Sequence, residues 1–417
     1  MNELLKFYEQ HKISPVSQDI SDLDLHFSRR IGLYRTLGLP PLLFRDRDVL
    51  EVAPGSGFNS IVTAALGART YDLVEPNTTG FNKMSGVFEK FDTGKTAIQF
   101  FNCRLDEYQE QRSYDIVLCE GLIQGLENQQ QFALRLAGYL RPGGILVLTC
   151  SDAISLFFET LRQYISRVLV AQAAPVSPGE AGFAQVTEML AGVFAPHLRS
   201  LKGMSRPASD WVHDVLLNPT VPSESIQNEF SVARCMEILG DKFWLYGMSP
   251  DFLTHLGWYK EMSPEPAKHN QAYLESFFSQ RQCLLHYRET GRLDSRRNLQ
   301  LHGFCRQFAE VVAGKDPLDP PAQSHQDILR ELEPVRQILA LLENCGLDLS
   351  RAALAQFLDF FEKGIPAPSD IAQAEAFGTA FGRGQQYISL VKSERINITT
   401  AAKGSHKLRL IFDGKMD

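Results

Sequence analysis

Several features that would place this 417-residue chain in a common class are missing from it. No run of about twenty apolar residues occurs, so no membrane partner is predicted. The first residues are amphipathic and carry acid, unlike a secretory signal peptide. The seven cysteines are scattered without a CxxC pair, and no His/Cys cluster has metal-ligand spacing. We therefore expect a cytoplasmic protein with reduced thiols, no disulfide framework and no metal site.

Concentrated positive charge is also scarce. The formal net charge is −7, and the densest basic stretches, Arg29-Arg30 and 292–297, are short and interrupted by acids. Proteins that bind nucleic acids normally carry a basic stripe that neutralises phosphates. The charge pattern therefore predicts no nucleic-acid partner.

What the sequence does contain is the composition of an ordinary globular protein, with 44% hydrophobic and 22% charged residues. Its length suggests two domains, or one domain with a large insertion. Short apolar segments alternate with helical ones in the first part of the chain, which predicts a doubly wound α/β domain with a mostly parallel sheet. The predicted strands are 48–52, 70–74, 98–101, 115–119 and 145–149, with the turn 141–144 interrupting the chain before the last of them.

The remaining segments complete this predicted architecture. Two later strands, 242–247 and 385–392, are expected to finish a seven-stranded sheet, and the helices between them to form a cap over the site. The predicted organisation is an N-terminal helical lid (1–40), an α/β domain (41–265, with its core at 45–150 and helical segments at 151–240), a helical insertion (266–383), the final strand (384–393) and a C-terminal tail (394–417).

The most informative motif lies between the first predicted strand and the helix that follows it. Gly55 and Gly57 let the backbone turn sharply and approach a ligand without a Cβ in the way. Glu75 closes the second strand about twenty residues further on, where an acid can accept hydrogen bonds from the ribose hydroxyls of an adenosine. Each feature alone has a structural alternative, a tight turn or a solvated acid. Together they indicate a cofactor that contains adenosine.

Details of the turn distinguish between such cofactors. Dinucleotide folds favour a third glycine, whereas this chain has Ser60 there and an acid, Glu51, before the turn. Over residues 45–150 the sequence resembles the class I S-adenosylmethionine-dependent methyltransferases, whose usual pattern is an acid followed by G-x-G-x-G. Glu51, Gly55 and Gly57 match it, while Ala53 stands at the first glycine. The segment 140–144, Leu-Arg-Pro-Gly-Gly, resembles the family's entry to its fifth strand.

The resemblance implies a Rossmann-like fold, S-adenosylmethionine as cofactor and S-adenosylhomocysteine as product. It implies that the glycines pass the methionine portion and that Glu75 holds the ribose. Many family members carry an acid where Arg104 stands, so Asp106 or a backbone carbonyl is expected to take the adenine contact instead. The residues expected at the cofactor are Glu51, Ala53, Gly55, Gly57, Asn59, Glu75, Arg104, Leu105 and Glu120.

Residues on the acceptor side are less well marked, because methyl transfer depends mainly on alignment and needs a base only for a protonated acceptor. Glu120 and His213 are the candidates for catalytic roles; helix-terminal charge and a structural imidazole are their alternatives. The candidate substrate residues are Arg30, Tyr34, Asp152, Trp211, Tyr259 and Tyr387. Surface charge for Arg30, a helix cap for Asp152 and core packing for Tyr387 are the corresponding structural alternatives.

The expected activity is methyl transfer to an oxygen or nitrogen, less readily a carbon or sulfur, of a small-molecule acceptor. Three alternatives stay open: another enzyme on the same scaffold, a cofactor-binding scaffold without catalysis, and a methyltransferase acting on protein or RNA. The acidic balance disfavours RNA, and the Pro-Gly-Gly turn disfavours a nicotinamide enzyme. A helical cap also suits dimer contacts, so a homodimer is one assembly that the sequence leaves open.

Overall fold

A single seven-stranded sheet forms the centre of the protein. The computed structural model describes residues 3–14, 18–109, 112–173, 177, 179–253, 258–261, 265–393, 396–399 and 409–412. The strands of the sheet are β1 (Asp48–Val52), β2 (Thr70–Val74), β3 (Ala97–Phe101), β4 (Tyr114–Cys119), β5 (Leu140–Cys150), β6 (Phe243–Ser249) and β7 (Gln386–Lys392). Their spatial order is β3-β2-β1-β4-β5-β7-β6.

The pairing of the strands explains their composition. β1 to β5 are parallel, and β7 is inserted antiparallel between β5 and β6. All five residues of β1 are buried, because a central strand of a parallel sheet is covered on both faces. The predicted mostly parallel, seven-stranded α/β sheet is therefore confirmed.

The predicted start of the fifth strand is wrong. The turn residues do not end the strand: Leu140 already pairs with Tyr114, and the next pair is Ile145 with Ile116, so the register irregularity lies at residues 141–144 of β5. Gly143 within this stretch has a φ of +72°, and a Cβ at Gly144 would meet the carbonyl oxygen of Arg141 at 2.9 Å. The two glycines thus accommodate an irregularity inside the strand rather than ending a helix before it.

Helices cover both faces of the sheet and make up most of the chain beyond β5. Several begin with a side-chain cap, as where Asp22 accepts a hydrogen bond from the Leu25 amide and Asp294 from the Arg297 amide. The α-helices are α1 (Glu3–Gln10), α2 (Leu23–Thr36), α3 (Ser60–Ala65), α4 (Thr78–Phe88), α5 (Gln129–Gly138), α6 (Phe157–Gln172), α7 (Glu180–Ser200), α8 (Ala208–Trp211), α9 (Val232–Leu239), α10 (Pro266–Gln280), α11 (Ser295–Val312), α12 (His325–Glu331), α13 (Glu333–Leu341), α14 (Asp348–Asp359), α15 (Pro368–Ala372) and α16 (Glu375–Thr379).

Shorter turns lie between these helices. A π-helix, Val212–Leu217, directly follows α8. The 3₁₀ turns are Pro41–Leu43, Ile123–Gly125, Val221–Ser225, Gly240–Lys242, Tyr259–Glu261 and Arg281–Leu284. Within the predicted tail, β8 (Ile396–Thr399) pairs antiparallel with β9 (Arg409–Phe412); its other residues lie outside the described ranges. None of the helices described is long and apolar enough to cross a bilayer.

Successive residues of each strand point to opposite faces of the sheet, where their side chains pack into two separate hydrophobic cores. On one face, residues such as Val49 and Leu118 pack with the side chains of α2, α3 and α4. On the other face, Leu50 and Leu148 belong to a cluster that also contains α1 and the helices beyond β5, including Phe158 and Phe308. The helical region therefore shares one continuous core with the sheet.

Candidate functional site

The turn after β1 has the backbone conformation that its glycines predict. Ala53, Gly55 and Gly57 have φ values of +58°, +60° and +75°, in the left-handed region that glycine occupies freely and alanine at a cost of roughly 1–2 kcal/mol. A Cβ at Gly57 would lie 2.7 Å from the Cγ of Met84 on α4. Gly57 is therefore required both by its φ and by the close approach of α4.

Glu75 lies beside this turn at the carboxyl end of β2. Its side chain accepts hydrogen bonds from the amides of Gly55 (2.7 Å) and Asn77 (2.8 Å), and the residue is only 2% exposed. Burial raises the pKa of Glu75 to about 7, although both backbone hydrogen bonds act to lower it. The structure thus holds a buried carboxylate against the glycine turn, which excludes the alternative of a solvated acid, while the ribose contact stays a prediction.

The N-terminal segment covers the turn. The hydroxyl of Ser14 lies 2.8 Å from that of Ser56, and a Cβ at Gly80 would be 3.2 Å from both the Ser14 hydroxyl and the Gly55 carbonyl. Leu4 of α1 packs against Gly125, in the 3₁₀ turn that follows β4. Residues 3–14 therefore lie across the carboxyl ends of the central strands.

Four of the predicted residues meet at the end of β4. Arg30 of α2 donates two hydrogen bonds to Glu120, at 2.9 and 2.7 Å, and a third to the hydroxyl of Tyr34 at 3.1 Å. Tyr34 bonds in turn to Thr63 at 2.7 Å. Burial and the charge of Glu120 raise the pKa of nearby Tyr387 to about 12. The alternative of solvated surface charge is wrong for Arg30, which is 7% exposed.

This pairing bears on the catalytic role predicted for Glu120. Both of its carboxylate oxygens are bound by the Arg30 guanidinium. These two hydrogen bonds fix the orientation of the Glu120 side chain, which gives it a positioning role at the end of β4; its role as a base stays a prediction.

The other predicted cofactor residues occupy different environments. Glu51 lies inside the sheet beneath the turn, where it accepts a hydrogen bond from the Tyr71 hydroxyl; burial and the charge of Glu120 raise its pKa to about 7. Asn59 precedes α3 without forming a side-chain cap. After β3, Leu105 is buried and Arg104 pairs with Asp106 at 2.8 Å.

His213 lines a groove on the outer side of the N-terminal segment. Its ring stacks on Phe183 at a centroid distance of 4.8 Å, and His11 stacks on the same Phe183 at 3.8 Å. Burial lowers the pKa of His213. The groove has a volume of about 590 Å³ and is lined by His11, Lys12, Ile13, Glu180, Phe183, Ala184, Thr187, Glu188, Ala191, Ser209 and His213.

The structure does not bring the remaining substrate candidates to the turn. Asp152 is fully buried and pairs with Arg281 at 2.5 Å; its substrate contact stays a prediction. Trp211 is buried against Phe194, and Tyr259 is 68% exposed on a 3₁₀ turn, with its ring near Trp258 and Lys260. Trp211 therefore lies in the core and Tyr259 on the surface, and a substrate contact of either residue stays a prediction.

Asp152 belongs to a buried network that also contains a metal-like grouping. Oxygens of Asp152 and Glu229 and a ring nitrogen of His302 lie within 4.8 Å of one another. Arg281 and Arg306 already pair with these carboxylates, so the negative charge of Asp152 and Glu229 is balanced without a metal ion. The network joins the end of β5 to α11.

Sequence reasoning missed a polar cluster on the helical side of the site. Burial raises the pKa of Tyr8, and the charges of Arg206, Glu224 and Glu75 also act on this tyrosine. No sequence motif contains these residues, because Tyr8 precedes the first strand of the sheet in the chain, whereas Arg206 and Glu224 follow β5. Only the folded chain brings them together.

A family model described as a methyltransferase domain matches residues 50–148, the segment that carries the glycine turn, Glu75 and the first five strands up to β5. This part of the chain is a class I S-adenosylmethionine-dependent methyltransferase domain. S-adenosylmethionine is the cofactor of that class, which confirms the cofactor prediction.

Relatives of the methyltransferase domain include two proteins named ubiquinone biosynthesis O-methyltransferase. The one from Rickettsia felis is 27% identical over 130 residues, which are 30% of this chain and 47% of the relative. The one from Rickettsia akari is 23% identical over 168 residues, 39% of this chain and 56% of the relative. The chain thus spans about half the length of the relatives it matches.

Solved structures similar to the domain also cover only a third of the chain. The N-methyltransferase NodS from Bradyrhizobium japonicum has a TM-score of 0.28 and 12% identity, over 36% of this chain and 74% of its own. Magnesium protoporphyrin IX methyltransferase from Synechocystis has a TM-score of 0.27 and 16% identity, over 35% and 69%.

The methyltransferase domain has a cradle whose residues fit an adenosine-containing cofactor. Glu75 presents a buried carboxylate to hydroxyl donors. The amide nitrogen of the Asn77 side chain is buried and has no hydrogen-bond partner among the described residues, which is unusual because buried polar groups are nearly always paired. The left-handed turn leaves the backbone free of side chains at its tightest point. These groups match what a ribose and a methionine portion require.

Proposed function

We propose that this protein transfers the methyl group of S-adenosylmethionine to an oxygen or nitrogen of a small molecule by in-line displacement. The observation that carries the proposal is the buried carboxylate of Glu75, bonded to the amide of Gly55 in a left-handed turn, within the segment that matches the methyltransferase domain.

The residues of the cradle would divide the binding between them. Glu75 would accept hydrogen bonds from the ribose hydroxyls, and the turn from Ala53 to Gly57 would pass the methionine portion. The cofactor supplies a methyl group already activated by its sulfonium. The protein then contributes alignment, since holding two reactants at attack distance removes several kcal/mol of the barrier.

Oxygen is the more strongly supported acceptor atom, because the relatives named above are O-methyltransferases. A small acceptor is supported by the segments that pack over the carboxyl ends of the strands, such as α1, whose Leu4 packs against Gly125. The net charge of −7 does not favour a nucleic-acid acceptor.

Isothermal titration calorimetry with S-adenosylmethionine and S-adenosylhomocysteine tests the cofactor role of Glu75. We expect micromolar binding to the wild type and at least tenfold weaker binding to Glu75→Gln, because the amide loses charge-assisted hydrogen bonds worth about 1.5–3 kcal/mol. Hydroxyl donors favour the ionised carboxylate, so binding to the wild type near pH 7 should also release protons, as measured in buffers of different ionisation enthalpy.

Glu89→Gln is the matched control, since Glu89 is an exposed acid at the end of α4 in the same domain. Absence of binding to the folded wild type would overturn the proposal and make a non-catalytic scaffold the leading interpretation. If both variants bound the cofactor as tightly as the wild type does, Glu75 would not be part of the cofactor site. If the protein bound the cofactor tightly but methylated only protein substrates, the acceptor would be a protein rather than a small molecule.

A further inference from the structure

The segment just before β7 is fixed at the carboxyl edge of the sheet by its backbone. The amide of Arg383 donates a hydrogen bond to the carbonyl of Leu284 at 2.9 Å, and the amide of Gly384 donates one to the carbonyl of Ser155, shortly before α6, at 3.1 Å. A Cβ at Gly382 would collide with the same Ser155 carbonyl, so the chain passes this point only with a glycine. The backbone therefore gives the side chain of Arg383 a defined position.

The side chain of Arg383 lies at the ends of β6 and β7. Its Nη2 donates a hydrogen bond to the hydroxyl of Ser249, the last residue of β6, at 3.1 Å. Ser249 is paired with Tyr387 of β7, which is paired in turn with Thr149 of β5. Side chains of paired residues project from the same face of a sheet, so these three form a row across its edge. Because the amide of Gly121 donates to the Thr149 hydroxyl at 2.7 Å, the row reaches the end of β4.

Arg383 is a cation without a carboxylate partner. It forms no ion pair with the residues that the structure describes, and the bond to Ser249 uses one of the five donors of its guanidinium. The residue is partly exposed, yet burial lowers its pKa, because a cation is costly to withdraw from water without an opposite charge. The buried guanidinium groups of Arg30 and Arg281, by contrast, each bind a carboxylate. The free donors of Arg383 therefore suit an anion from outside the chain.

The place of Arg383 in the sheet distinguishes between two sources of such an anion, the cofactor and the acceptor. Glu75 closes β2, and β2 and β6 are five strand spacings apart in the sheet, which is about 24 Å. With its ribose at Glu75, S-adenosylmethionine has only a short aliphatic chain between that ribose and its carboxylate, and this chain cannot span the distance. The end of β4 is nearer, at two to three strand spacings or about 10–14 Å from β7 and β6. An acceptor beside β4 reaches Arg383 if it is elongated.

We propose that Arg383 is a specificity-determining residue that binds a carboxylate of the methyl acceptor, with the hydroxyl of Tyr387 as a second donor beside it. This assignment rests on the proposed function and adds to it an elongated, acidic acceptor. A guanidinium binds a carboxylate through two parallel N–H···O hydrogen bonds. Arg383 lies outside residues 50–148, which match the family model, so this anion site is not part of what the matched domain shares with its relatives.

Calorimetric titration of the S-adenosylhomocysteine complex with biphenyl-4-carboxylate and biphenyl-4-carboxamide tests this assignment, since the two elongated probes differ in charge but hardly in shape. We expect the wild type to bind the carboxylate at least tenfold more tightly, because charge-assisted hydrogen bonds are about twice as strong as neutral ones. Arg383→Met should abolish this preference. Arg383→Lys, which keeps the charge but loses the planar fork, should retain part of it. S-adenosylhomocysteine itself should bind the wild type and both variants equally.

Arg288→Met is the matched control, because Arg288 is an exposed arginine that donates to the carbonyl of Ser200; this variant should keep the full preference. Failure of the wild type to bind S-adenosylhomocysteine would overturn the proposed function. Normal binding of S-adenosylhomocysteine with equal binding of the two probes, with binding of neither, or with the same loss in Arg288→Met would overturn only the anion site. If Arg383→Met weakened the binding of S-adenosylhomocysteine rather than that of the carboxylate probe, the anion would be the cofactor's carboxylate and the assignment to the acceptor would be wrong.

Discussion

At the scale of single residues, the pairing of Arg30 with Glu120 shows how charge is kept inside this protein. Burial alone would lower the pKa of Arg30, but the carboxylate of Glu120 raises it well above its ordinary value. The two side chains are 8% and 12% exposed, and Tyr34 takes a further donor of the guanidinium. The pair fixes α2 to the end of β4, so its main effect is on geometry at the site.

Breaking this pair from one side should be costly. Glu120→Gln leaves the Arg30 charge buried without its partner, and we expect a loss of roughly 3–5 kcal/mol in the free energy of unfolding, measured by urea denaturation. The double variant Arg30→Met/Glu120→Leu should recover most of it, since no buried charge then remains. Glu237→Gln, which breaks an exposed pair with Arg234, should cost less than about 1 kcal/mol. Equal losses in the two single variants would show that the buried pair has no special role.

At the scale of elements, the sequence predicts what depends on neighbouring residues and misses what depends on distant ones. The strands, the left-handed turn and the position of Glu75 follow from local pattern and are predicted by it. The burial of Arg30 is not, because its partner lies 90 residues away. The start of β5 is misplaced because a proline and two glycines usually end an element, whereas here they lie within an irregular strand.

The contact between α2 and the sheet edge is a second feature of this scale. A Cβ at Gly247 of β6 would lie 2.6 Å from the carbonyl carbon of Leu37, just beyond α2. Leu37 also accepts a hydrogen bond from Ser389 of β7 at 2.7 Å. Gly247→Ala should therefore push backbone against backbone and lower the free energy of unfolding by about 1–3 kcal/mol. Gly303→Ala in α11, where a Cβ meets nothing within 4 Å, should stabilise by roughly 0.5–1 kcal/mol. If Gly247→Ala behaved like Gly303→Ala in urea denaturation, the close packing of α2 on β6 would be disproved.

At the scale of the whole molecule, the helices beyond β5 and one face of the sheet bury a single hydrophobic cluster. Its members run from Leu4 of α1 to Leu390 of β7 and include the aromatic core of α6, α11 and α14. Chains of this length often unfold in steps, because separate domains lose structure separately. A shared core argues for one step, since neither part can lose its packing without exposing the apolar surface of the other.

Two single-tryptophan variants measure this coupling from opposite sides. Trp211 lies buried among the helices, and Trp244 lies on β6. With Trp258→Phe in both, Trp244→Phe leaves a reporter in the helical region, and Trp211→Phe leaves one in the sheet. In each variant we expect the urea midpoint from fluorescence to coincide with that from far-ultraviolet circular dichroism, and S-adenosylhomocysteine to raise both equally, because a ligand of the native state stabilises every part that unfolds with it. A helical reporter that unfolds first and ignores the ligand would instead mean that the helices form an independent unit, which can unfold while the cradle around Glu75 stays folded.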